Sequence, residues 1–214
     1  MSLDSSNKPI VIAAFDFDGT LTRSDTLLPF LARGLGWPRF IWLLLRCSPW
    51  LLGFGFGLLT NHVAKQKLLS LAFKGKTIVE MDKWTELWLT CDFPSQLRDW
   101  TLMRLRAHQA SGHCCVLVSA SPDVYLKRAA KVLGFDALLC TEMQVADGML
   151  TGQMQTLNCH GSEKAKRLQQ WCYASYQIDI KNNLSFAYGN CRSDDDMLSL
   201  AVVATKITDA RYFK

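Results

Sequence analysis

The sequence predicts an α/β fold, a doubly wound, Rossmann-like parallel sheet with a helical cap inserted after the first strand. Three observations lead to this prediction. Short apolar runs at residues 10–15, 114–118 and 184–188 have the length and composition of strands buried on both faces of a sheet. Segments with helical patterning separate these runs, as they do in parallel sheets. A mainly helical stretch interrupts the alternation once, between about residues 25 and 91.

Composition narrows the class of protein. The 214 residues are 49% hydrophobic, enough for one compact core and an inserted module. Lys and Arg outnumber Asp and Glu by 24 to 19, and the charge of +5 favours an anionic substrate or membrane surface but is too small to indicate nucleic acid. The eight cysteines include no CxxC or zinc-like spacing, which indicates reduced thiols. Because the polar N-terminus lacks signal-peptide features, we expect a cytoplasmic protein.

The first predicted strand ends in Asp-Phe-Asp-Gly-Thr, and the helical stretch follows it. We assign residues 23–96 to the helical cap, and residues 1–22 and 97–214 to the core domain. Within the cap we expect a capping box from Thr77 to Glu80, and helix ends at several Gly and Pro positions. These positions are Gly34, Gly36, Pro49 and Gly75.

The remaining elements continue the alternation of helices and strands. In chain order they are a helix from Ser95 to about Ala110, a strand at 114–118, a helix at about 122–133, a strand near 137–139, a β-hairpin around Asp147-Gly148, a helix at about 162–174, and strands at 184–188 and near 202–205. Ligands bind at the carboxyl ends of the strands in such sheets. The polar residues that end each strand are therefore the candidates for a site.

Asp16 and Asp18 directly follow the first strand and can face one site once the chain turns at Gly19. A carboxylate attacks a phosphate dianion well only where a cation screens the repulsion, so the pair predicts a hard divalent ion such as Mg²⁺. Asp16 would form an aspartyl phosphate, while Asp18 would protonate the leaving oxygen and later deprotonate the hydrolytic water. The alternative is an acidic turn without chemistry.

These residues resemble the first motif, DxDGT after an apolar strand, of the haloacid dehalogenase superfamily of phosphohydrolases. The resemblance extends over most of the chain, because three further motifs have matches in the right order. The second motif implies that Ser119 binds phosphoryl oxygens with its hydroxyl, and that Ala120 does so with its backbone N–H. The alternative is that Ser119 or Ser121 only caps the next helix.

The third and fourth motifs supply further charged and polar groups. Lys164, near a helix start, would offset the negative charge at the site, and Lys166 is the competing lysine. The fourth motif commonly reads Gly-Asp, three residues, then Asp, and here Asn190 replaces the first acid. The alternative is that Asp194 to Asp196 only supply an acidic first turn to the last helix. The Mg²⁺ ligands implied by the resemblance are Asp16, the Asp18 carbonyl, Asn190 and Asp194.

The cap lies between the first and second motifs, which resembles the subfamily that contains phosphoserine phosphatases. Residues 22–30, 147–152 and 158–164 are similar to a branch that includes bacterial phosphatidylglycerophosphate phosphatases. The resemblance implies a phosphomonoester substrate, either a lipid or glycerol-linked phosphate or a small metabolite such as phosphoserine. The expected substrate-binding residues are Thr20, Asp25, Ser119 and Ala120. Asp25 stands near a Glu that handles the substrate amine in phosphoserine phosphatases, and its alternative role is a helix N-cap.

Residues 37–60 are unusually apolar and fall inside the predicted cap. Arg46 and Pro49 argue against one membrane-spanning helix, because a charge at mid-bilayer costs roughly 2.5–3.5 kcal/mol on insertion scales. We therefore expect two short apolar helices. They form either the cap's own core or a dimer contact. The alternative is a peripheral membrane contact, with Trp37, Trp42 and Trp50 at headgroup depth and Arg39 and Arg46 near anionic lipid.

Two other functions stay open. The replacement at Asn190 is compatible with a phosphate-binding or regulatory protein of the same fold whose turnover is impaired. A phosphotransferase or mutase would begin with the same aspartyl phosphate, but would pass the phosphoryl group to a second substrate in place of water.

Overall fold

The computed structural model describes residues 10–180 and 184–208. Its strands are β1 (Ile12–Phe15), β2 (Cys114–Pro122), β3 (Ala137–Thr141), β4 (Met143–Ala146), β5 (Met149–Met154), β6 (Leu184–Gly189) and β7 (Val203–Lys206). Its helices are α1 (Leu27–Leu35), α2 (Trp37–Gly55), α3 (Asn61–Phe73), α4 (Ile78–Cys91), α5 (Phe93–Gln96), α6 (Asp99–Ala110), α7 (Asp123–Leu133), α8 (Ser162–Tyr176) and α9 (Asp195–Leu198).

Five strands form one parallel sheet in the order β3-β2-β1-β6-β7, with helices between them in the chain, and this arrangement confirms the predicted fold class. β1 lies at the centre. Its alternate residues enter two different hydrophobic clusters, Ala13 and Phe15 on one face and Ile12 and Ala14 on the other. Both faces of the strand are therefore buried, which explains why its sequence is apolar without alternation.

The Asp147-Gly148 hairpin forms as predicted, from β4 and β5. Both turn residues have positive φ, 50° and 74°, the backbone that an Asp-Gly pair adopts most readily. The hairpin leaves the main sheet and contacts α3, where Gln66 Nε2 donates to the Gly152 carbonyl at 2.8 Å and Gln66 Oε1 accepts from Met154 N at 2.9 Å. The hairpin, which comes from the second half of the sequence, thus packs against the helical segment.

The predicted capping box is confirmed at the start of α4. The Thr77 hydroxyl accepts from Glu80 N at 3.1 Å, and the Glu80 carboxylate accepts from Thr77 N at 2.9 Å. A predicted helix start at Ser95 is wrong, because the short helix α5 occupies that position and α6 begins only at Asp99.

Two predicted helix ends are also wrong, since Gly34 lies inside α1 and Pro49 lies inside α2. Proline removes one backbone N–H and leaves the carbonyl four residues earlier without its usual donor. Here the Ser48 hydroxyl donates to that carbonyl, the one of Leu45, at 2.8 Å. The two short helices expected in residues 37–60 are therefore one helix of 19 residues. Within the described residues, no helix combines the length and apolar content needed to cross a bilayer.

The chain passes from the sheet into the helical segment at residues 22–23 and returns to the sheet at residues 96–97, and these two connections lie side by side. Thr22 pairs with Leu97 in an antiparallel bridge, and Arg23 N donates to the Gln96 carbonyl at 2.8 Å. These contacts fall at the predicted boundary of the cap, at residues 22–23 and 96–97. The division into cap and core stays a prediction.

Packing at Gly34 can be tested by adding one methyl group. A Cβ at this position would lie 2.1 Å from the ring of Trp84 in α4, so Gly34→Ala should lower the free energy of unfolding by about 1–3 kcal/mol. Gly55→Ala is the matched control, because nothing lies within 4 Å of its Cβ, and alanine favours a helix by up to about 1 kcal/mol. Urea unfolding checks both variants, and equal stability of Gly34→Ala and wild type would contradict the contact.

Candidate active site

Asp16 places its carboxylate at the carboxyl end of the central strand. Its backbone stays extended, and its N–H donates to the Tyr188 carbonyl of β6 at 2.9 Å, which continues the sheet by one residue. The side chain is only slightly exposed. Oδ2 accepts from the Thr20 hydroxyl at 2.8 Å, and Oδ1 accepts from Lys164 Nζ at 2.5 Å. Both carboxylate oxygens are therefore held in a fixed orientation.

Lys164 lies in the first turn of α8 and bridges two carboxylates. Its Nζ also donates to Asp194 Oδ1 at 2.6 Å, and all three side chains are buried. Asp194 Oδ2 accepts from the backbone N–H groups of Asn190 at 2.9 Å and Cys191 at 3.1 Å. The cluster of Asp16, Lys164 and Asp194 carries one net negative charge when all three groups are ionised.

The pKa values of this cluster follow from burial and from the ion pairs. Burial raises the pKa of Asp16, with the Lys164 ammonium opposing it. Burial also acts to raise the pKa of Asp194, but Lys164 and the two backbone donors outweigh it, so that pKa lies below its usual range. For Lys164, burial lowers the pKa and the two carboxylates raise it, with a net increase. Lys164 therefore stays charged at neutral pH.

Asp18 has a different environment from Asp16, although only one residue separates them. Its Oδ1 accepts from Thr26 N and from the Thr26 hydroxyl, each at 2.7 Å, and its Oδ2 accepts from the Ser121 hydroxyl at 2.5 Å. Burial, followed by the nearby Asp25 carboxylate, raises the pKa of Asp18 to about 6. A carboxyl group with this pKa holds a proton for part of the time near neutral pH.

The turn at Gly19 brings Asn190 next to the first motif. Gly19 has φ of 79°, and a Cβ there would lie 2.0 Å from Asn190 Nδ2, so both the conformation and the space require glycine. Asn190 Oδ1 is buried, and no donor in the described part of the chain contacts it. A buried oxygen without a donor fits a cation ligand.

A metal ion at this site would need oxygen ligands of mixed type. Among residues 10–180 and 184–208, no three His, Cys, Asp or Glu side chains cluster closely enough to hold an ion by themselves. The carboxylates of Asp16 and Asp194, together with the unpartnered oxygen of Asn190, supply a set of hard oxygen ligands. Such ligands suit Mg²⁺ better than a softer metal.

A cavity of about 480 Å³ opens above these residues. Its floor is polar and includes Asp16, Asp18, Lys164, Asn190 and Ala120. Its other wall comes from the helical segment, where apolar side chains of Leu27, Leu51, Phe54, Ala64 and Leu68 lie among the polar ones of Arg23, Ser24, Asp25, Asn61 and Lys65. The cavity can therefore hold a ligand that has an anionic end and an apolar part.

The other predicted substrate-binding residues lie at different depths. Asp25 lines the cavity, and its Oδ1 accepts from Leu27 N at 3.0 Å, but the N-cap position of α1 is Thr26 and not Asp25. Thr20 is fully buried beside Asp16. Ser119 is also fully buried, and its hydroxyl oxygen accepts from Ser121 N at 3.0 Å.

Several alternatives for the motif residues are wrong. Neither Ser119 nor Ser121 caps α7, whose N-terminus has no side-chain cap, and Ser121 donates to Asp18 instead. Lys166 is exposed, whereas Lys164 is buried between two carboxylates. Asp194 is buried and pairs with Lys164, whereas the adjacent Asp195 lies at the surface and pairs with Lys206.

The family model described as haloacid dehalogenase-like hydrolase matches residues 13–199. The chain belongs to this family. The match confirms the resemblance to this family, and it spans the helical segment and every strand of the described sheet except β7.

The relatives of this family member include proteins with and without a named activity. The protein CicA of Caulobacter vibrioides is 32% identical over 206 residues, covering 94% of this chain and 87% of the relative. A phosphoserine phosphatase of Idiomarina loihiensis is 31% identical over 99 residues, covering 46% and 44%. A crystal structure of a Bordetella pertussis protein of unknown function has a TM-score of 0.75 at 22% identity, covering 89% and 86%.

Sequence reasoning missed Lys65, which projects from α3 into the cavity of this hydrolase. Its Nζ donates to the Ala120 carbonyl at 2.6 Å and so joins the helical segment to the end of β2. The available signal was its spacing, because Lys65 precedes the buried Leu68 and Leu69 by three and four residues and therefore shares their face of the helix. Burial lowers the pKa of Lys65 to about 8, while the carboxylates of Asp18 and Asp25 act in the opposite direction.

The pKa of Lys65 predicts a pH dependence of stability. The folded protein releases this proton near pH 8 and the unfolded chain only near 10.5, so the unfolded state binds more protons between these values. The free energy of unfolding of wild type should therefore rise, relative to Lys65→Met, from about pH 8 to 10. Urea unfolding in a chelating buffer measures this difference. Lys74→Met, at an exposed position near the end of α3, should keep the wild-type slope, and equal slopes for all three proteins would contradict the assignment.

Proposed function

We propose that this protein is a Mg²⁺-dependent phosphomonoesterase that works through an aspartyl phosphate on Asp16. One observation carries the proposal. The Asp16 carboxylate forms the floor of a cavity, is oriented by Thr20 and Lys164, and stands beside a second carboxyl group whose pKa is raised to about 6. Membership of a hydrolase family, and a relative named phosphoserine phosphatase, support the same reaction class.

The first half of the reaction transfers the phosphoryl group to the protein. An oxygen of Asp16 attacks phosphorus, and the bond from phosphorus to the leaving oxygen breaks on the opposite side. Asp18 donates its proton to that oxygen, which leaves as an alcohol. Lys164 keeps its charge throughout and offsets the negative charge that gathers at Asp16.

The second half returns Asp16 to its starting state. Asp18, now ionised, removes a proton from water, and the water oxygen attacks the aspartyl phosphate to release inorganic phosphate. Thr26 and Ser121 hold both oxygens of Asp18 in place for this exchange of roles. Mg²⁺, when bound, would screen the repulsion between carboxylate and phosphate. Its ligands would be Asp16, the Asp18 carbonyl, Asn190 and Asp194.

Phosphate contacts are proposed for the end of β2. Ala120 lines the cavity and would donate its backbone N–H. The Ser119 oxygen accepts a hydrogen bond from Ser121 N, and the hydroxyl hydrogen of Ser119 would be donated to the phosphoryl group. Thr20 would act through its bond to Asp16. These roles would give the phosphoryl oxygens hydrogen-bond donors at the end of β2.

The cavity favours a phosphomonoester with an apolar or glycerol-linked part over phosphoserine. Leu51, Phe54 and Leu68 form an apolar part of the wall that would exclude water without pairing with an amine or carboxylate. Asp25, the expected partner of a substrate amine, already accepts from the first turn of α1. Hydrolysis of phosphoserine in preference to every lipid and glycerol phosphate would overturn this ranking.

Two alternatives have different observable consequences. Asn190, with its uncharged oxygen, is the observation that favours a phosphate-binding protein with impaired turnover. A phosphotransferase or mutase would share the aspartyl phosphate but would need an acceptor. Steady release of inorganic phosphate in the absence of any acceptor excludes both alternatives.

Asp16→Asn tests the nucleophile. The amide keeps the shape of the side chain but cannot form the acyl phosphate, so turnover of p-nitrophenyl phosphate with Mg²⁺ should fall by at least about 10³-fold. Asp196→Asn, at an exposed acid of the last helix, is the matched control and should keep full activity. Comparable rates for Asp16→Asn and wild type would exclude the mechanism.

Asp18→Asn separates the two halves of the reaction. p-Nitrophenolate leaves readily without a proton, so the variant should release about one equivalent per active site in a burst, and then turn over slowly because no base activates water. Glycerol phosphate, whose leaving oxygen needs a proton, should give no burst. Rapid-mixing kinetics with both substrates checks this expectation, and unchanged steady rates would remove Asp18 from the proposed role.

Changes at Asn190 test the metal site. Asn190→Asp adds a charged ligand and should lower the Mg²⁺ concentration for half-maximal activity, whereas Asn190→Ala removes the oxygen and should raise it, each by several-fold. Chelation should abolish turnover in all variants. An identical Mg²⁺ requirement in wild type and both variants would show that position 190 does not bind the ion.

A further inference from the structure

Helix α2 is apolar on two opposite faces. Its buried face contributes Phe40, Leu43 and Cys47 to the hydrophobic core. The opposite face is 53% to 69% exposed at its large apolar residues, which are Trp37, Ile41, Trp42, Leu45 and Leu52. The exposed ridge continues into the following loop through Phe56 and Leu58. We name these seven residues the α2 ridge.

The α2 ridge follows the periodicity of the helix. Trp37, Ile41 and Leu45 are spaced by four residues, and Leu52 lies seven residues beyond Leu45, so they form one continuous stripe. A helix that covers a protein core normally has a polar outer face. A contiguous apolar stripe of this kind marks a surface that contacts something other than water.

Charge identifies the chemistry of that contact. The 54 residues from Thr26 to Val79 contain seven Lys and Arg residues and no Asp or Glu. Arg39 and Arg46 lie seven residues apart, and so occupy one side of α2 next to the α2 ridge. In the part of the chain that the structure describes, neither has an acidic partner within salt-bridge distance. Arg33 pairs with Asp92 and Lys76 with Glu80, so Arg39 and Arg46 are the charges that make the border of the stripe cationic.

We propose that the α2 ridge docks on the surface of an anionic lipid bilayer. Apolar side chains with tryptophans among them, bordered by arginines, match the acyl boundary and the negative headgroups of such a surface. A second copy of this chain fits less well, because a symmetric contact would bring Arg39 and Arg46 close to the same residues of the other copy. The helix, about 28 Å long, lies along the interface in this arrangement.

The same helix joins the proposed docking surface to the cavity. Leu51 and Phe54, near the end of α2, line the cavity above Asp16. The element that contacts lipid would thus also contact substrate. Docking itself requires neither turnover nor Mg²⁺, so it can be tested independently of the proposed function.

Vesicle flotation of the full chain tests the proposal. With vesicles of 30% phosphatidylglycerol in phosphatidylcholine, wild type should float, and it should float at least tenfold less with pure phosphatidylcholine or at 1 M NaCl. Leu45→Glu should reduce binding to anionic vesicles at least tenfold. Val132→Glu, which places the same charge at a residue of similar exposure on α7, should bind like wild type. Circular dichroism establishes that both variants are folded.

The outcomes separate the proposal from its competitors and from the proposed function. Asp16→Asn should float like wild type, even though it lacks activity. Absence of wild-type binding to anionic vesicles, or equal binding of Leu45→Glu and Val132→Glu, would overturn the proposal. Sedimentation velocity that shows a dimer in wild type and a monomer in Leu45→Glu, without vesicle binding, would overturn it as well and assign the face to a second copy.

Discussion

Burial of three ionisable groups in one place is the constraint on which the site depends. Lys164 lies between Asp16 and Asp194, and each of these charges would be costly in the interior without its neighbours. The three residues are far apart in sequence, so the ion pairs can form only where β1, the start of α8 and the end of β6 meet. The parallel sheet supplies that meeting point, because the carboxyl ends of its strands lie on one edge. The fold and the chemistry are thereby tied together.

Two carboxylates of the same short motif differ because their surroundings differ. Asp16 faces an ammonium group, which favours the ionised form needed in a nucleophile. Burial raises the pKa of both groups, but at Asp18 the carboxylate of Asp25 adds to the increase, against the hydrogen bonds from Thr26 and Ser121. The turn at Gly19 keeps both side chains at the cavity while directing them to separate partners. An acid and a nucleophile can thus be provided by two residues at the end of one strand, with a single residue between them.

Patterns in the sequence were sufficient to predict those features whose structure depends on residues close together in the chain. The apolar run of β1, the Asp-Gly turn and the capping box at Thr77 were all predicted. The failure at Gly34 and the omission of Lys65 concern contacts between distant residues. Gly34 stays helical because the ring of Trp84 fills the space beside it, and Lys65 enters the cavity because α3 packs toward the sheet. At Pro49 a neighbouring hydroxyl replaces the missing donor, a compensation that helix propensities do not include.

The bridge between Thr22 and Leu97 has an implication for how such proteins diversify. Because both ends of the helical segment meet at one place, a segment of another length or shape can be grafted there without altering the path of the sheet. The hairpin of β4 and β5 limits this freedom, since Gln66 bonds to its backbone in two places. A successful exchange would therefore have to recombine two separate stretches of the gene in concert.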